Sequence, residues 1–291
     1  MTGPVGIVVN PAKLTDLPAL ERAVAQYCTE PSWWQTTEQD PGAGQARQAV
    51  AAGARLVLVC GGDGTVAACA GSLAGTGVSM AIVPGGTGNL LARNLGIPLE
   101  LPDALELAFH GADRAIDVLA AGERRFVVMA GLGFDAALIR DTDEQLKARL
   151  GWFAYLGGFA RAIRRRRSGQ FSIEVDAQPP IRRRAIGVLV GNVGQLQGGV
   201  TLLPDARPDD GELDVIVLAP DRFWDWPMLL SRILRKRPAS GAQADTLRGR
   251  RVRITADRAL PAEFDGDFSG ELSELAVEVL PGALILRCGP A

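Results

Sequence analysis

A glycine-rich segment with one carboxylate, Gly61-Gly62-Asp63-Gly64-Thr65, follows the apolar run 56–60 and precedes a stretch with helical character. Glycines placed after a buried strand let backbone N–H groups approach phosphate oxygens closely, and the N-terminus of the next helix adds a favourable dipole. An aspartate in such a turn can hold Mg²⁺ or a water network on the phosphates. The pattern therefore predicts a phosphate site, with an ordinary glycine-rich turn as the alternative.

Two further loops have the same setting. The segment Pro84-Gly85-Gly86-Thr87-Gly88-Asn89 follows the next predicted strand, 80–83, and Asn10-Pro11-Ala12-Lys13 ends the first one, Val5–Val9. In sheets of parallel strands, ligands bind at the carboxyl ends of the strands, where such loops lie. Three loops that converge on one edge predict a single cleft more strongly than any one of them alone.

A pair of carboxylates lies near the C-terminus. Asp265 and Asp267 flank Gly266, so that both can lie close together on one turn. Transfer of a phosphoryl group requires positioning, Mg²⁺ and a carboxylate that takes the proton of the accepting hydroxyl. A solvated acidic turn is the alternative interpretation.

The elements that must position these loops alternate over residues 1–120. Helical patterns at 17–26, 45–52, 66–73 and 102–110 separate the short apolar strands. This alternation predicts a mainly parallel sheet covered by helices, an α/β domain. We place its boundary with the next domain between residues 115 and 125.

The pattern changes after residue 114, where short predicted strands dominate. Their regular spacing favours a β-sandwich as the second domain, 121–291, whose last strand can return to the first domain. Two predicted helices, 144–166 and 223–236, interrupt the strands. The predicted strands are 115–119, 125–130, 171–175, 185–191, 213–218, 252–255, 274–279 and 284–287.

Composition limits the class of protein. The chain has 291 residues, a net charge of −2 and 47% hydrophobic residues, and none of its apolar runs reaches the roughly 18 residues of a membrane-spanning helix. Its four cysteines are scattered and it has one histidine, so we expect neither disulfides nor a zinc site, and a reducing cytoplasm fits. The acidic overall charge argues against nucleic acid as a partner.

The order of these motifs resembles the diacylglycerol kinase catalytic domain family, which includes bacterial lipid kinases, sphingosine kinases and ceramide kinases. The resemblance extends over nearly the whole chain. The segment Gly61–Thr65 by itself is shared with NAD kinases and phosphofructokinase-like enzymes, whereas the second glycine-rich loop and the late acidic segments favour the lipid kinases. The segments that carry it are Val9-Asn10-Pro11, Thr36-Thr37-Glu38, the two glycine-rich loops, 131–136, 207–214 and Phe264-Asp265-Gly266-Asp267.

The resemblance implies an ATP site in the first domain and a second domain that helps to bind lipid. In bacterial relatives an Asp-Gly segment of the second domain holds a structural Mg²⁺. Here its ligands would be Asp210 and the backbone carbonyls of Arg207 and Glu212, although a plain hairpin turn also explains this Asp-Gly pair. The implied ATP contacts are Asn10, Thr37, Gly61, Gly62, Asp63, Gly64, Thr65, Gly86, Thr87 and Asn89.

The resemblance also implies roles for the late carboxylates. The family pattern is Asp-Gly-Glu, with the glutamate as proton acceptor, and Asp267 stands at that position here. Its side chain is one methylene shorter, a difference in reach of about 1.5 Å, which is large beside a hydrogen bond of ~2.6–3.2 Å. We predict that Asp267 is the base and that Asp265 supports it.

The partner predicted in this way is a lipid at a membrane surface. Tryptophan-rich stretches at 151–156 and 223–230 adjoin basic residues, a combination typical of contact with anionic lipid headgroups and equally compatible with core helices that have a basic rim. We therefore expect a cytoplasmic kinase with peripheral contact to the inner face of the membrane, and a homodimer is compatible with the sequence. An NAD kinase and a catalytically silent nucleotide- and membrane-binding protein are the alternatives.

Overall fold

The first part of the chain alternates parallel strands with helices. The computed structural model describes residues 3–14, 16–133, 168–195, 201–219 and 244–289. The parallel strands pair in the order β2-β1-β3-β4. The elements of this part are β1 (Val5–Val9), α1 (Leu17–Val24), β2 (Ser32–Gln35), α2 (Ala43–Ala51), β3 (Leu56–Gly61), α3 (Asp63–Leu73), β4 (Ser79–Pro84), α4 (Leu90–Asn94) and α5 (Leu101–His110).

Local sequence accounts for the helices and the buried strands. The carboxylate of Asp16 accepts a hydrogen bond from the N–H of Ala19 at 2.9 Å, which satisfies one of the donors left free at the start of α1. Leu20 and Val24, four residues apart, bury the inner face of that helix. Strand β3 is buried along its whole length, as expected for a parallel strand with helices on both faces of its sheet.

Antiparallel strands build the second part. They continue the same sheet in the order β12-β11-β10-β7-β13-β14, while β8 pairs with β13 and β9. The residues of β8 alternate between buried and solvent-facing positions, so one face of this strand packs on the core. The strands are β5 (Ala112–Ala121), β6 (Arg124–Phe126), β7 (Met129–Leu132), β8 (Gly169–Val175), β9 (Ile181–Ala185), β10 (Gly187–Gly191), β11 (Leu213–Leu218), β12 (Ala244–Gly249), β13 (Arg251–Phe264) and β14 (Asp267–Cys288).

The long strand β14 joins the two parts. Its first half pairs with β13, whereas its second half pairs with β5 and, in parallel, with β4 through Ile285 and Leu286. One apolar core cluster accordingly contains Val57 from the first part together with Val128 and Leu284 from the second. The turn at the start of β14 is therefore connected to the parallel strands of the first part through a single strand.

Several boundaries differ from the predicted ones. The predicted strand 125–130 is divided into β6 and β7, because the N–H groups of residues 127–129 donate to the side chain of Asp265. The predicted strands 274–279 and 284–287 are one strand, β14, whose register is irregular between Leu280 and Leu284. Strands β2, β9 and β12 and the short helix α4 were not predicted. The predicted helices 144–166 and 223–236, with their tryptophan-rich stretches, lie outside the described residues.

No helix in the described part of the chain is long and apolar enough to span a bilayer.

Candidate active site

The first glycine-rich loop forms the junction between β3 and α3. Gly61 ends the strand, Gly62 caps the helix and Asp63 is its first helical residue. Free N–H groups of the first helical turn and the helix dipole therefore create positive potential at this loop. A Cβ atom on Gly62 would lie 3.4 Å from the Cα of Gly86 and 4.0 Å from the Cε of Lys13. The loop thus lies against the second glycine-rich loop and beside an ammonium group.

Asp63 ties the second loop to the first. Its Oδ2 accepts a hydrogen bond from the N–H of Asn89 at 2.9 Å, and its Oδ1 accepts one from the N–H of Leu90 at 2.5 Å. The side chain of Asn89 closes its own loop, since it accepts from the N–H of Gly86 at 2.9 Å and donates to the Gly86 carbonyl at 2.7 Å. Both carboxylate oxygens of Asp63 therefore accept hydrogen bonds from backbone N–H groups of the second loop. The side chain of Thr87 in that loop is exposed.

The two loops come this close because their contact residues lack side chains. The N–H of Gly85 donates to the carbonyl of Gly61 at 2.8 Å. A Cβ atom on Gly86 would lie only 2.8 Å from the Cα of Gly62, which is closer than non-bonded carbon atoms approach. Any other residue type would fill this space, whereas an open backbone cradle suits phosphate oxygens.

Asn10 and Thr37 lie at the carboxyl ends of β1 and β2, on the same edge of the sheet. The Nδ2 of Asn10 donates to the hydroxyl of Thr65 at 3.1 Å, and its Oδ1 accepts from the N–H of Ala12 at 3.0 Å. The hydroxyl of Thr37 accepts from the N–H of Asp40 at 3.1 Å, and its side chain is exposed. The structure thus joins Asn10 to the first glycine-rich loop, and contact of Thr37 with a nucleotide stays a prediction.

Asp265 and Gly266 form the two-residue turn between β13 and β14. Their φ angles are 49° and 89°, and Phe264 pairs with Asp267 across the turn, as in a type I′ Asp-Gly hairpin. Asp267 is therefore the first residue of β14, with an exposed side chain. Its Oδ2 lies 3.9 Å from the position that a Cβ atom on Gly64 would take, so this carboxylate faces the first turn of α3.

The carboxylate of Asp265 is held by the backbone. Its Oδ1 accepts from the N–H groups of Val128 and Met129 at 2.8 and 2.9 Å, and its Oδ2 accepts from Val127 at 3.1 Å. Burial raises the pKa of Asp265 to about 6, although these three hydrogen bonds favour the charged form. The contacts fix the turn, and they leave Asp267 as the carboxylate of this pair that is exposed to a ligand.

The predicted metal ligands Arg207, Asp210 and Glu212 lie in the loop that leads into β11. Arg248 of β12 lies among the carboxylates of this loop. Its guanidinium forms ion pairs with Asp210, with Glu212 at 3.3 Å and with Asp214 at 3.5 Å. The other oxygen of Asp210 accepts from the N–H of Glu212 at 3.1 Å.

The magnesium ion predicted at Asp210 stays a prediction, because in this structure the guanidinium of Arg248 pairs with the same carboxylate. Both carboxylate oxygens of Asp210 are engaged, and the guanidinium already supplies the positive charge that a metal would bring. Burial raises the pKa of Asp214 to about 6, while the nearby Arg248 lowers it.

Some residues of these sites were not predicted from the sequence. Lys13 follows closely on Asn10, and that spacing is a signal that could have indicated a phosphate contact. Glu263, two residues before Asp265, is only 5% exposed, and burial raises its pKa to about 7. Asp117 accepts from the N–H groups of Gly211 and Gly282 at 2.7 and 2.8 Å. Burial of Glu263 and Asp117 depends on strand pairing, which a single sequence does not reveal.

Known protein families match both parts of the chain. Residues 6–121 match the model of the diacylglycerol kinase catalytic domain, and residues 127–288 match the YegS C-terminal NAD kinase beta sandwich-like domain. A "Probable lipid kinase YegS-like" from Pseudomonas syringae is 36% identical over 248 residues, which cover 81% of this chain and 77% of that protein. An uncharacterized protein from Synechocystis is 26% identical over 261 residues, and the match covers 86% of this chain but only 56% of that protein.

Solved structures give the same result. A "putative diacylglycerol kinase" from Bacillus anthracis superposes with a TM-score of 0.83 at 26% identity, covering 99% of this chain and 96% of the other. An NAD kinase from Archaeoglobus fulgidus, solved in complex with ATP, superposes with a TM-score of 0.54 at 15% identity, covering 97% and 93% of the two chains. At that identity the second likeness concerns the fold alone.

These matches confirm the predicted fold class, an NAD kinase-like α/β domain followed by a β-sandwich domain. They also confirm the predicted enzyme class. The chain belongs to the family of YegS-like lipid kinases, which share the diacylglycerol kinase catalytic domain.

Proposed function

We propose that this kinase transfers the γ-phosphate of ATP to a lipid hydroxyl, that of diacylglycerol or of a related glycerolipid or sphingoid base. The observation that carries the proposal is the proximity of the two candidate sites. The carboxylate of Asp267 faces Gly64 in the first glycine-rich loop, 3.9 Å from the position of a Cβ atom there. A carboxylate beside a phosphate-binding loop is placed to accept a proton from a hydroxyl that attacks the phosphate.

The two glycine-rich loops and Asn10 would hold the nucleotide. Backbone N–H groups at the start of α3 are suited to phosphate oxygens. The ammonium of Lys13, whose Cε lies near Gly62, adds a charged donor. Thr87, exposed in the second loop, offers a further hydroxyl. Mg²⁺, when it accompanies ATP, would neutralise phosphate charge.

Asp267 would act as the base. The oxygen of the lipid hydroxyl forms a bond to the γ-phosphorus while the bond from that phosphorus to the bridging oxygen of ADP breaks, and the hydroxyl proton passes to Asp267. Asp265 would not take part in this step, because its oxygens accept three backbone hydrogen bonds. Its role would be to position the turn.

The acceptor would be presented at a membrane surface. The edge strand β9 carries three exposed arginines. Because side chains alternate along a strand, Arg182 and Arg184 lie on one face, and Arg183, which pairs with Asp245 at 2.6 Å, lies on the other. Basic residues near an anionic bilayer contribute about 1 kcal/mol each. They support peripheral binding to anionic lipid. Homodimerisation stays a prediction.

The test is transfer of label from γ-radiolabelled ATP with Mg²⁺ to mixed vesicles of diacylglycerol, phosphatidylglycerol and sphingosine. We expect label in one lipid, which also identifies the acceptor class. A parallel reaction with NAD in place of vesicles separates the alternative enzyme, because label in NAD and in no lipid would contradict the proposal. Binding of ATP and of vesicles without any labelled lipid would instead support the catalytically silent protein.

A further inference from the structure

The hairpin of β5 and β6 is attached to the C-terminal end of α3. The Nη1 of Arg125 donates to the carbonyl oxygens of Gly71 at 3.2 Å and of Ala74 at 2.8 Å. The Gly71 carbonyl lacks its usual helical partner, because the N–H of Gly75 donates instead to Ala283 at 2.7 Å. A cation at the negative end of the helix dipole is also electrostatically favourable.

A second series of contacts leads from Arg125 toward the candidate base. Strand β6 ends at Phe126, and the next three residues donate their N–H groups to the carboxylate of Asp265. The N–H of Asp265 in turn donates to the carbonyl of Met129 at 2.8 Å. The turn that carries Asp267 is thus bonded through both its backbone and its side chain to the segment that directly follows Arg125.

Both series of contacts involve α3, at its two opposite ends. Asp267 faces Gly64 in the first turn of the helix, and Arg125 holds the last turn. The helix has 11 residues, and at 1.5 Å per residue it is a rod of about 16 Å. One end of this rod belongs to the phosphate-binding loop, and its other end anchors the hairpin from which the base is supported.

We propose that Arg125 is a positioning residue for phosphoryl transfer. By fixing β6 on the C-terminal end of α3, it sets the distance between Asp267 and the phosphate-binding loop at the other end. This role depends on the function proposed above. A helix cap that only stabilises the fold would make the same hydrogen bonds, so the two roles must be separated by kinetics.

The experiment compares Arg125→Met with Arg47→Met in the lipid transfer assay. Arg47 is a matched control, since its Nη1 donates to the hydroxyl of Ser72 on α3 at 3.2 Å and its side chain is exposed. Because a misplacement of about 1 Å can cost ~100-fold in rate, we expect Arg125→Met to lower kcat by about 10- to 100-fold. We expect KM for ATP to stay within about twofold, Arg125→Lys to recover part of kcat, and Arg47→Met to behave as wild type.

Two further measurements separate positioning from stability. Amide hydrogen exchange at residues 127–129 should accelerate in Arg125→Met and not in Arg47→Met, at a temperature where both variants are folded. In an Asp267→Ala background, Arg125→Met should lower the residual rate by less than about twofold, because a residue that acts through Asp267 has no effect once that carboxylate is gone.

The outcomes distinguish this inference from the proposed function. Wild-type protein that labels no lipid overturns the proposed function and this role together. Wild-type protein that labels lipid, with unchanged kcat in Arg125→Met, overturns the role of Arg125 alone. A full additional loss of rate from Arg125→Met in the Asp267→Ala background also overturns it, since the arginine would then act independently of the base.

Discussion

Two Asp-Gly turns of the second part look alike in sequence and differ in what holds their carboxylates. Asp265-Gly266 and Asp210-Gly211 each end in a glycine of positive φ, 89° and 74°. Asp265 is held by backbone N–H groups, which bring no charge of their own, so the neighbouring Asp267 remains beside the first glycine-rich loop. In the other turn the guanidinium of Arg248 pairs with the carboxylates of the loop.

The difference shows which of the two turns is available for chemistry. A carboxylate whose oxygens are held by a guanidinium is not free to accept a hydrogen bond from a substrate hydroxyl. Among the described residues, Asp267 forms no ion pair, whereas Asp210 and Glu212 both pair with Arg248. We therefore interpret the turn at 265–267 as part of the reaction site and the loop at 205–214 as a scaffold.

Of the substitutions in these two turns, removal of the carboxylate of Asp265 should have the largest effect on stability. Asp265→Ala leaves three backbone N–H groups without their acceptor and places alanine at a φ of 49°. We expect a loss of about 3 kcal/mol in the free energy of unfolding, measured by urea denaturation. Transfer activity should fall with it, because the turn loses its support.

Asp265→Asn is the matched control for that variant. Asparagine tolerates the same φ and retains one acceptor oxygen, so it should lose clearly less stability than alanine does. Equal stability of Asp265→Ala and wild type would show that these three hydrogen bonds do not hold the turn.

The buried carboxyl next to this turn should make stability depend on pH. Burial raises the pKa of Glu263 from 4.5 to about 7, so the folded state binds its proton more tightly than the unfolded state does. Stability should therefore fall as pH rises from about 4.5 to about 7, by ~2–3 kcal/mol. Glu263→Gln should remove this loss, so that the variant exceeds wild type by that amount at pH 8 and by little at pH 4.5. An unchanged pH profile of unfolding in Glu263→Gln would contradict this.

The smallest expected effect on stability concerns Arg248, the residue of β12 that pairs with the acids of the other turn. Arg248→Met leaves Asp210, Glu212 and Asp214 without their cation, and because the pairs are partly exposed we expect a loss of only about 1 kcal/mol. Millimolar Mg²⁺ without nucleotide should raise the Tm of this variant, since a divalent ion can then replace the guanidinium. The Tm of wild type should not respond.

Arg250→Met is the control for Arg248→Met, because its exposed side chain forms no ion pair among the described residues. A wild-type Tm that rises with Mg²⁺ as much as that of Arg248→Met would show that a metal binds this loop beside the arginine.

Local sequence predicted the parts of the fold that depend on neighbouring residues. The apolar run 56–60 and the glycines after it predicted the buried strand β3 and the turn into α3, and strands Val5–Val9 and 213–218 were predicted with their observed bounds. The ends of several other strands were not predicted, because they depend on distant partners. At the break between β6 and β7, Val127 and Val128 donate their N–H groups to Asp265, which lies 138 and 137 residues away.

The same limit applies to the candidate site. Glycine spacing was enough to indicate the two loops, but no local signal shows that Asp63 would bind the backbone of Asn89 and Leu90 across 26 and 27 residues. The ion pairs of the loop at 205–214 were not predictable for a related reason, because the acids of the loop and the arginine that pairs with them lie far apart in the sequence. Arg248 is 38 residues from Asp210, and only the pairing of β11 with β12 brings them together.

The most direct test of the central claim is to measure ATP affinity and lipid phosphorylation together in Asp267→Ala. Glu271→Ala, an exposed acid on the same strand, is the control and should behave as wild type. If Asp267 is the base, Asp267→Ala should bind ATP with unchanged affinity and transfer phosphate about 10²–10⁴-fold more slowly. Transfer at the wild-type rate, or a loss that follows entirely from lost ATP binding, would contradict the assignment of Asp267 as the group that accepts the lipid proton.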